Sequence, residues 1–152
     1  MTDPMPADAS MERIRDRFAR SEFHTGWLGL QLEHLGPGEA DVSLAIEAKH
    51  RNLMGTLHGG MISTLADTAT GVAMGSSLDA GETWTTTSLH VTFLAPGREG
   101  RITALGRVVR RGRRFGYAEA DVVGDDGALL ARASATFAIM PDRSAGPPTG
   151  DQ

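Results

Sequence analysis

The sequence predicts an α+β domain in which an antiparallel sheet wraps around one long central helix. Three observations indicate this fold: a Pro-free segment with helical spacing at residues 59–77, a change to period-two alternation near residue 89, and turn signals that divide the rest into strands. Hairpin-linked strands must bury one face, and the single apolar helix is the element that can cover it.

The composition is that of one folded domain. The chain has 152 residues, 40% of them hydrophobic and 22% charged, with a net charge of -4, and this length predicts one domain. Its mild acidity gives no general attraction to nucleic acid, and the absence of cysteine excludes a disulfide framework and a thiol nucleophile. Because no segment reads as a secretory signal or a transmembrane helix, we expect a cytoplasmic protein without a membrane partner.

The first third of the chain predicts one helix and two strands. Ser10 is a candidate N-cap for a helix over residues 11–20, which carries its apolar residues on one face. Residues 27–32 are short, apolar and interrupted by glycine, and they predict a first strand. Residues 40–46 alternate apolar and polar side chains and predict a second, half-buried strand.

The helix predicted at residues 59–77 has two different faces. One stripe is apolar and forms the predicted core face. Its members are Ile62, Leu65, Ala66, Ala69, Val72 and Ala73. The opposite stripe, around Asp67, is small and polar, so another group could approach it closely. Its other members are Gly60, Ser63, Thr64, Thr70, Gly71 and Met74.

Four strands follow the central helix. The first alternates over residues 89–93 and stops at Pro96, and the last two are joined by a turn of two Gly and two Asp residues. The other three strands are predicted at residues 100–110, 115–123 and 128–139. The domain therefore spans residues 11–140, with residues 1–10 and 141–152 as flexible tails.

Asp67 is the most informative single residue. It is the only formal charge between Arg51 and Asp79, and it lies in the middle of the predicted helix. An unpaired buried carboxylate costs several kcal/mol or shifts its pKa. Asp67 is therefore an exposed helix residue, a partner of a distant arginine, or a functional group.

His58, Gly59 and Gly60 stand directly before the same helix. Two glycines let the backbone approach a ligand closely, and the free N–H groups of a helix start can stabilise a developing oxyanion. A flexible turn with a histidine N-cap is the alternative interpretation. The remaining histidines, which show no metal-ligand spacing and predict no metal site, are His24, His34, His50 and His90.

The segment that runs from Asn52 to Gly60 (NLMGTLHGG), followed by Leu-Ala-Asp ending at Asp67, resembles the hotdog-fold acyl-CoA thioesterases of the phenylacetic-acid-degradation (PaaI-like) family. The resemblance extends over about residues 12–140 and includes Phe-Leu-Ala-Pro ending at Pro96. It implies a hotdog fold, which agrees with the element order above. It also implies hydrolysis of an acyl-CoA to an acid and free CoA without a metal or redox cofactor, in a homodimer that assembles to a homotetramer.

The resemblance assigns a chemical role to three residues of this segment. Asn52 would help to hold the thioester carbonyl, and the Gly59 N–H would polarise it from the helix terminus. Asp67 lies fifteen positions after Asn52 and eight after Gly59, as the family pattern requires. It would activate water or attack the carbonyl across a dimer interface.

Three further residues complete the site that the resemblance implies. His58 belongs to the motif and serves either loop geometry or acid–base chemistry, and Gly60 lets the backbone approach the bound ester. In some relatives a Ser or Thr on the strand after the helix assists the carboxylate. Thr86 falls at that position, with Thr85, Thr87 and Ser88 as its neighbours.

One basic cluster stands apart from the motif. It contains Arg107, Arg110, Arg111, Arg113 and Arg114. A solvated hairpin tip and a contact between CoA phosphates and Arg111, Arg113 and Arg114 are both consistent with it, since the guanidinium fork suits phosphate. A nucleic-acid site is disfavoured, because the run is short and has one adjacent aromatic residue.

Two other functions are compatible with a hotdog fold. A non-catalytic acyl-CoA-binding protein would not require Asp67 together with Asn52 and the glycines. Hotdog hydratases place a histidine base downstream of an aspartate, whereas here His58 precedes Asp67. Thioester hydrolysis is therefore favoured, and the acyl group is left open among aryl-acetyl, aromatic and aliphatic chains.

Overall fold

The computed structural model describes residues 7–20 and 22–143. Within them lie helices α1 to α3, strands β1 to β6 and one 3-10 turn at Ala48–His50. The helices are α1 (Ala7–Phe18), α2 (His24–Leu28) and α3 (Gly59–Ser76). The strands are β1 (Leu30–Gly36), β2 (Glu39–Ala45), β3 (Glu82–Phe93), β4 (Arg101–Arg111), β5 (Phe115–Gly124) and β6 (Leu129–Pro141).

The six strands form one antiparallel sheet that surrounds α3. Their order is β1-β2-β4-β5-β6-β3, so β1 and β3 are the two edges. The long helix α3 contacts every strand of the sheet. Its fully buried residues, such as Leu65 and Ala69, meet inward-facing residues such as Leu44, Ile102 and Val122 in the main core. The predicted α+β hotdog architecture is confirmed.

Most of α3 lies as its sequence pattern predicts. All members of the apolar stripe are buried except the half-buried Val72, which packs beside α1. The opposite stripe is less open than predicted, because Thr70 and Met74 are fully buried. None of the helices in the described part of the chain is long and apolar enough to cross a membrane.

The first elements differ from the sequence prediction. Helix α1 begins at Ala7 rather than at residue 11, so Ser10 lies inside the helix instead of capping it. Residues 24–28 form the short helix α2, where a strand was expected from residue 27. Gly29 ends α2 in the left-handed region with φ +82°, and β1 starts directly after it. A short apolar run fits both a strand and a helical turn, and periodicity cannot separate them.

Strand β3 is much longer than predicted. It starts at Glu82 instead of residue 89, and it pairs with β6 on one side only. Its residues 85–88 are polar and exposed, and a bulge interrupts the pairing between Thr86 and Ser88. Polar side chains are common on edge strands, and the core-facing alternation of β3 begins only after this stretch.

Two elements extend beyond the predicted domain boundaries at residues 11 and 140. Helix α1 extends into the segment predicted as an N-terminal tail, and β6 continues to Pro141 at the other end. The remaining parts of the predicted tails, residues 1–6 and 144–152, lie outside the described residues.

Candidate active site

The start of α3 presents an unused backbone donor. His58 is the N-cap residue, and its Nδ1 accepts the Gly60 N–H at 2.8 Å. Gly59 is the first helical residue, and its N–H therefore has no partner within the helix. His58 thus acts as a cap in this structure, and the helix start leaves the Gly59 N–H available to an oxygen.

Both glycines at this helix start are closely approached by a side chain. A Cβ on Gly60 would lie 2.9 Å from Nδ1 of His58, so a side chain there would displace the cap. A Cβ on Gly59 would lie 3.3 Å from Cε1 and Cζ of Phe93, at the end of β3. The close approach that the sequence predicted for these glycines is therefore made to a histidine and to an aromatic ring.

Asn52 organises the loop that leads into α3. Its Oδ1 accepts the backbone N–H groups of Met54 at 2.9 Å and Thr56 at 3.2 Å, and its Nδ2 donates to Oγ1 of Thr56 at 2.9 Å. An Asn amide carries two N–H donors, so one of them is not used by Thr56. Asn52 can therefore hold the loop and still donate one hydrogen bond to a ligand.

His50 anchors the base of the same loop. Its side chain is 1% exposed, its Nδ1 accepts the Glu47 N–H at 3.0 Å, and its Nε2 lies 2.9 Å from the Leu28 carbonyl. Since Nδ1 accepts, Nε2 carries the proton and donates. The His50 carbonyl also accepts the His58 N–H at 2.9 Å. The sequence offered no signal for this role, because a lone histidine in a loop looks the same whether it is exposed or buried.

Asp67 and Thr86 meet between α3 and the edge strand β3. The Thr86 hydroxyl donates to Oδ1 of Asp67 at 2.9 Å. Asp67 is half-buried and Thr86 is exposed. The structure thus brings together two residues that the family resemblance placed in one site, although they stand on different elements. Oδ2 of Asp67 accepts no hydrogen bond from a described residue and remains available.

The Gly59 donor and the Asp67 carboxylate of one chain are far apart. They are eight residues apart on one continuous helix, and a rise of 1.5 Å per residue separates them by about 12 Å along its axis. A hydrogen-bond donor and an attacking oxygen must each come within about 3 Å of the reacting carbonyl group. The Gly59 N–H and the Asp67 carboxylate of one chain therefore lie at different levels of the helix, too far apart for both to contact one carbonyl group directly.

One more side chain fills the seam between α3 and β3. The indole of Trp84 packs onto the helix at Gly75, where a Cβ would clash with the ring. Gly71, one helical turn after Asp67, faces Nε1 of the same indole. The small stripe on this part of the helix is therefore occupied by Trp84.

The arginines of the β4–β5 hairpin fall into two groups. The Arg111 guanidinium is paired with Asp79 at 3.1 Å and with Glu82, and its Nε is buried without a hydrogen-bond partner. Arg113 and Arg114 are exposed and line a shallow surface depression beside Phe115. No ion pair between described residues involves either of them.

The described residues contain no group of three or more His, Cys, Asp or Glu side chains that could hold a metal ion. The loop, the helix start and the Asp67–Thr86 pair supply the polar atoms of the candidate site. They amount to N–H donors for an oxygen and a carboxylate for a proton or a carbonyl carbon.

Comparison with known proteins identifies a single family. The profile described as the Thioesterase superfamily matches residues 54–131. The medium/long-chain acyl-CoA thioesterase YigI of Salmonella typhimurium is 27% identical over 154 aligned positions, which cover 91% of this chain and 99% of the relative.

Two solved structures share both the fold and appreciable sequence. The conserved protein PA5202 of Pseudomonas aeruginosa has a TM-score of 0.76 at 30% identity, covering 83% of this chain and 98% of that protein. A mutant of the phenylacetic acid degradation protein PaaI from Thermus thermophilus has a TM-score of 0.69 at 33% identity, covering 74% of this chain and 94% of that protein.

Proposed function

Because the chain belongs to the thioesterase superfamily and is a thioester hydrolase, we propose that its substrates are acyl-CoA thioesters, which it splits into a free acid and CoA. One observation carries this proposal: α3 presents two complementary groups. The Asp67 carboxylate is held by Thr86 through one oxygen and keeps the other oxygen free of hydrogen bonds from described residues, and the Gly59 N–H at the helix start is unused. The similarity to YigI, a medium/long-chain acyl-CoA thioesterase, supports acyl-CoA as the substrate class.

The donors at the start of α3 would bind the thioester oxygen. In the proposed site the Gly59 N–H and the spare N–H of Asn52 point at this oxygen and stabilise the negative charge that develops on it. Because the loop hydrogen bonds already fix Asn52, the donors need no rearrangement during the reaction. Loss of one such donor typically slows an enzyme by roughly 10² to 10³.

Asp67 would supply the carboxylate chemistry. As a base, it takes a proton from water while the water oxygen bonds to the carbonyl carbon; the C–S bond then breaks and the CoA sulfur takes that proton. As a nucleophile, it forms an anhydride and expels CoA thiolate, and water then hydrolyses the anhydride. In either route the Thr86 hydroxyl holds Oδ1 and directs Oδ2 to the reacting atom.

The proposed site needs two protomers. Since about 12 Å separates Gly59 from Asp67 along one helix, we infer a dimer in which Asp67 of one protomer works with Gly59 and Asn52 of its partner. Strand β3 suits this arrangement, because it is a 12-residue edge strand that carries Thr86 beside an open, exposed stretch. A homotetramer formed from two such dimers is part of the same proposal.

Coenzyme A would enter as part of the substrate, and the proposed reaction uses no other cofactor. Arg113 and Arg114 have free guanidinium groups beside a surface depression and could bind the CoA phosphates. The sequence also suggested Arg111 for this role. Its pairing with Asp79 and Glu82 supports a different task, in which it ties the hairpin to the start of β3.

Release of free thiol from a panel of acyl-CoA esters tests this function. The wild-type chain should release CoA from at least one ester. Asp67→Asn keeps the shape of the side chain but removes the base or nucleophile, so turnover should fall by at least ~10²-fold while the protein stays folded. Asp16→Asn, on an exposed position of α1, is the matched control and should retain activity.

The outcomes separate an enzyme from a binding protein. A folded Asp67→Asn variant with near wild-type turnover would remove Asp67 from the mechanism. A wild-type chain that binds acyl-CoA without releasing thiol from any ester would instead identify a non-catalytic acyl-CoA-binding protein.

A further inference from the structure

The Phe93 side chain occupies an unusual position at the proposed site. It is the last residue of β3, opposite the buried Ala131 of β6, and its ring packs on Gly59 at the start of α3. Phe93 is nevertheless 53% exposed. A large apolar ring therefore touches the residue that carries the free N–H and leaves about half of its surface uncovered.

Other exposed apolar side chains stand on the segments that carry the proposed site. Leu53 and Met54 are exposed on the loop that Asn52 organises, and Leu94 follows Phe93 directly. Exposed apolar side chains are common singly, so the contact of Phe93 with Gly59 is the observation on which the argument depends.

We propose that Phe93 contacts the acyl group of the substrate and makes the enzyme select large apolar acyl groups. This inference rests on the proposed function, because it takes the thioester oxygen to be bound at Gly59. An oxygen bound there lies next to the ring, and so do the two substituents of the carbonyl carbon. One substituent is the hydrocarbon of the acyl group, and the other is the sulfur of an amide-containing arm. An apolar ring gains more from the hydrocarbon.

The ring has a second effect on the same atoms. Because the ring lies beside Gly59, we expect it to exclude water from one side of a bound thioester oxygen, and a hydrogen bond to that oxygen is stronger where water is excluded. A bulky acyl group would complete this exclusion, whereas an acetyl group would leave the ring partly wet. The proposed substrate class is therefore medium-chain aliphatic and aryl-acyl thioesters rather than acetyl-CoA.

The experiment compares kcat/KM for octanoyl-, phenylacetyl- and acetyl-CoA in the wild-type chain and three variants. Phe93→Ala should lower the octanoyl-to-acetyl and phenylacetyl-to-acetyl ratios by ~10-fold or more, since one hydrocarbon contact is worth roughly 10- to 200-fold in discrimination. Phe93→Leu should fall between Phe93→Ala and wild type and guards against an unfolded alanine variant. Val109→Ala is the matched control, because Val109 is an equally exposed apolar residue (54%) on β4 and belongs to no part of the proposed site, and its ratios should stay within about 2-fold of wild type.

Each outcome supports or overturns a defined claim. A selective loss with the large acyl groups supports the assignment. An equal fall for all three esters in a folded variant would overturn it, because a merely structural ring would act on every substrate alike. If Phe93→Ala lowered kcat/KM for acetyl-CoA but not for acetyl-pantetheine, which lacks the CoA nucleotide, Phe93 would contact the CoA arm of the substrate. That result would overturn the assignment to the acyl group. Absence of hydrolysis in the wild-type chain would overturn the proposed function itself.

Discussion

Complementation between two inactive variants tests the shared site most directly. Asp67→Asn removes the carboxylate, and Asn52→Ala removes a donor that the proposal groups with Gly59. Because Gly59 and Asp67 are separated along α3, the proposal assigns Asp67 and Asn52 of one chain to different sites. A mixed dimer would then contain one site with both lesions and one site with none. Each parent should keep at most about 1% of wild-type turnover, given the ~10²-fold loss expected for either group.

The size of the recovery follows from the symmetry of a two-fold dimer. Random pairing makes about half of the dimers mixed, and each mixed dimer has one intact site in two, so roughly one quarter of all sites are intact. Turnover should therefore rise to about 25% of wild type, far above either parent. Differently tagged chains, co-expressed and purified by both tags, isolate the mixed dimer, which should show about 50% of wild-type turnover in a free-thiol release assay because one of its two sites is intact.

A matched pair of variants controls for non-specific rescue. Thr86 donates to Asp67 of its own chain, so both residues lie in the same site. Mixed dimers of Asp67→Asn with Thr86→Val carry one lesion in each site and should show only the mean activity of the two parents. If verified mixed dimers of Asp67→Asn with Asn52→Ala gave no recovery, each site would have to be built within one chain, and the separation argument would be refuted.

Three further perturbations test other parts of the structure. The double variant Arg113→Ala and Arg114→Ala should raise KM for acyl-CoA roughly 10-fold and leave KM for an acyl-pantetheine thioester unchanged. Equal effects on both substrates would contradict a role in binding the CoA phosphates. Arg111→Ala should mainly lower Tm, because it removes the ion pair with Glu82. His50→Phe should lower stability by about 1–3 kcal/mol for each unpaired backbone group, measured by denaturant unfolding. Burial raises the pKa of Asp41 above 3.8; His34 opposes this shift in part, and Glu39 adds a smaller upward contribution. The folded chain thus binds this proton more tightly, stability falls as pH rises through that pKa, and Asp41→Asn should raise Tm at neutral pH but not well below pH 3.8.

The central part of the fold could be predicted because its pattern is long and consistent. Helix α3 starts at Gly59 as predicted and ends one residue earlier, since eighteen residues of regular spacing leave no competing interpretation. The segment of residues 27–32 offered fewer than two helical turns of apolar residues, and the short helix α2 precedes β1 there. Local propensity could not decide between the two structures, and the left-handed turn at Gly29 decided the outcome.

The candidate site likewise has a part that the sequence predicts and a part that it does not. Gly59, His58 and Asp67 stand on one continuous segment, so their relative placement follows from helix geometry. The contact of Phe93 with Gly59 and the anchoring of the loop by His50 join residues that are distant in sequence. Such contacts arise from the path of the sheet, and no spacing along the chain encodes them.

Thr86 links the prediction of the fold with the prediction of the site. Its strand was predicted too short because residues 85–88 are uniformly polar, and a buried strand would have alternated. Such polarity is common on edge strands, and β3 is one of the two edges of the sheet. The same edge position lets the Thr86 hydroxyl reach Asp67 while the strand stays open on its outer side. The polarity of residues 85–88 is therefore the reason that the alternation pattern missed this part of β3. The same polar stretch places a hydrogen-bond donor beside the carboxylate and leaves room for a second protomer.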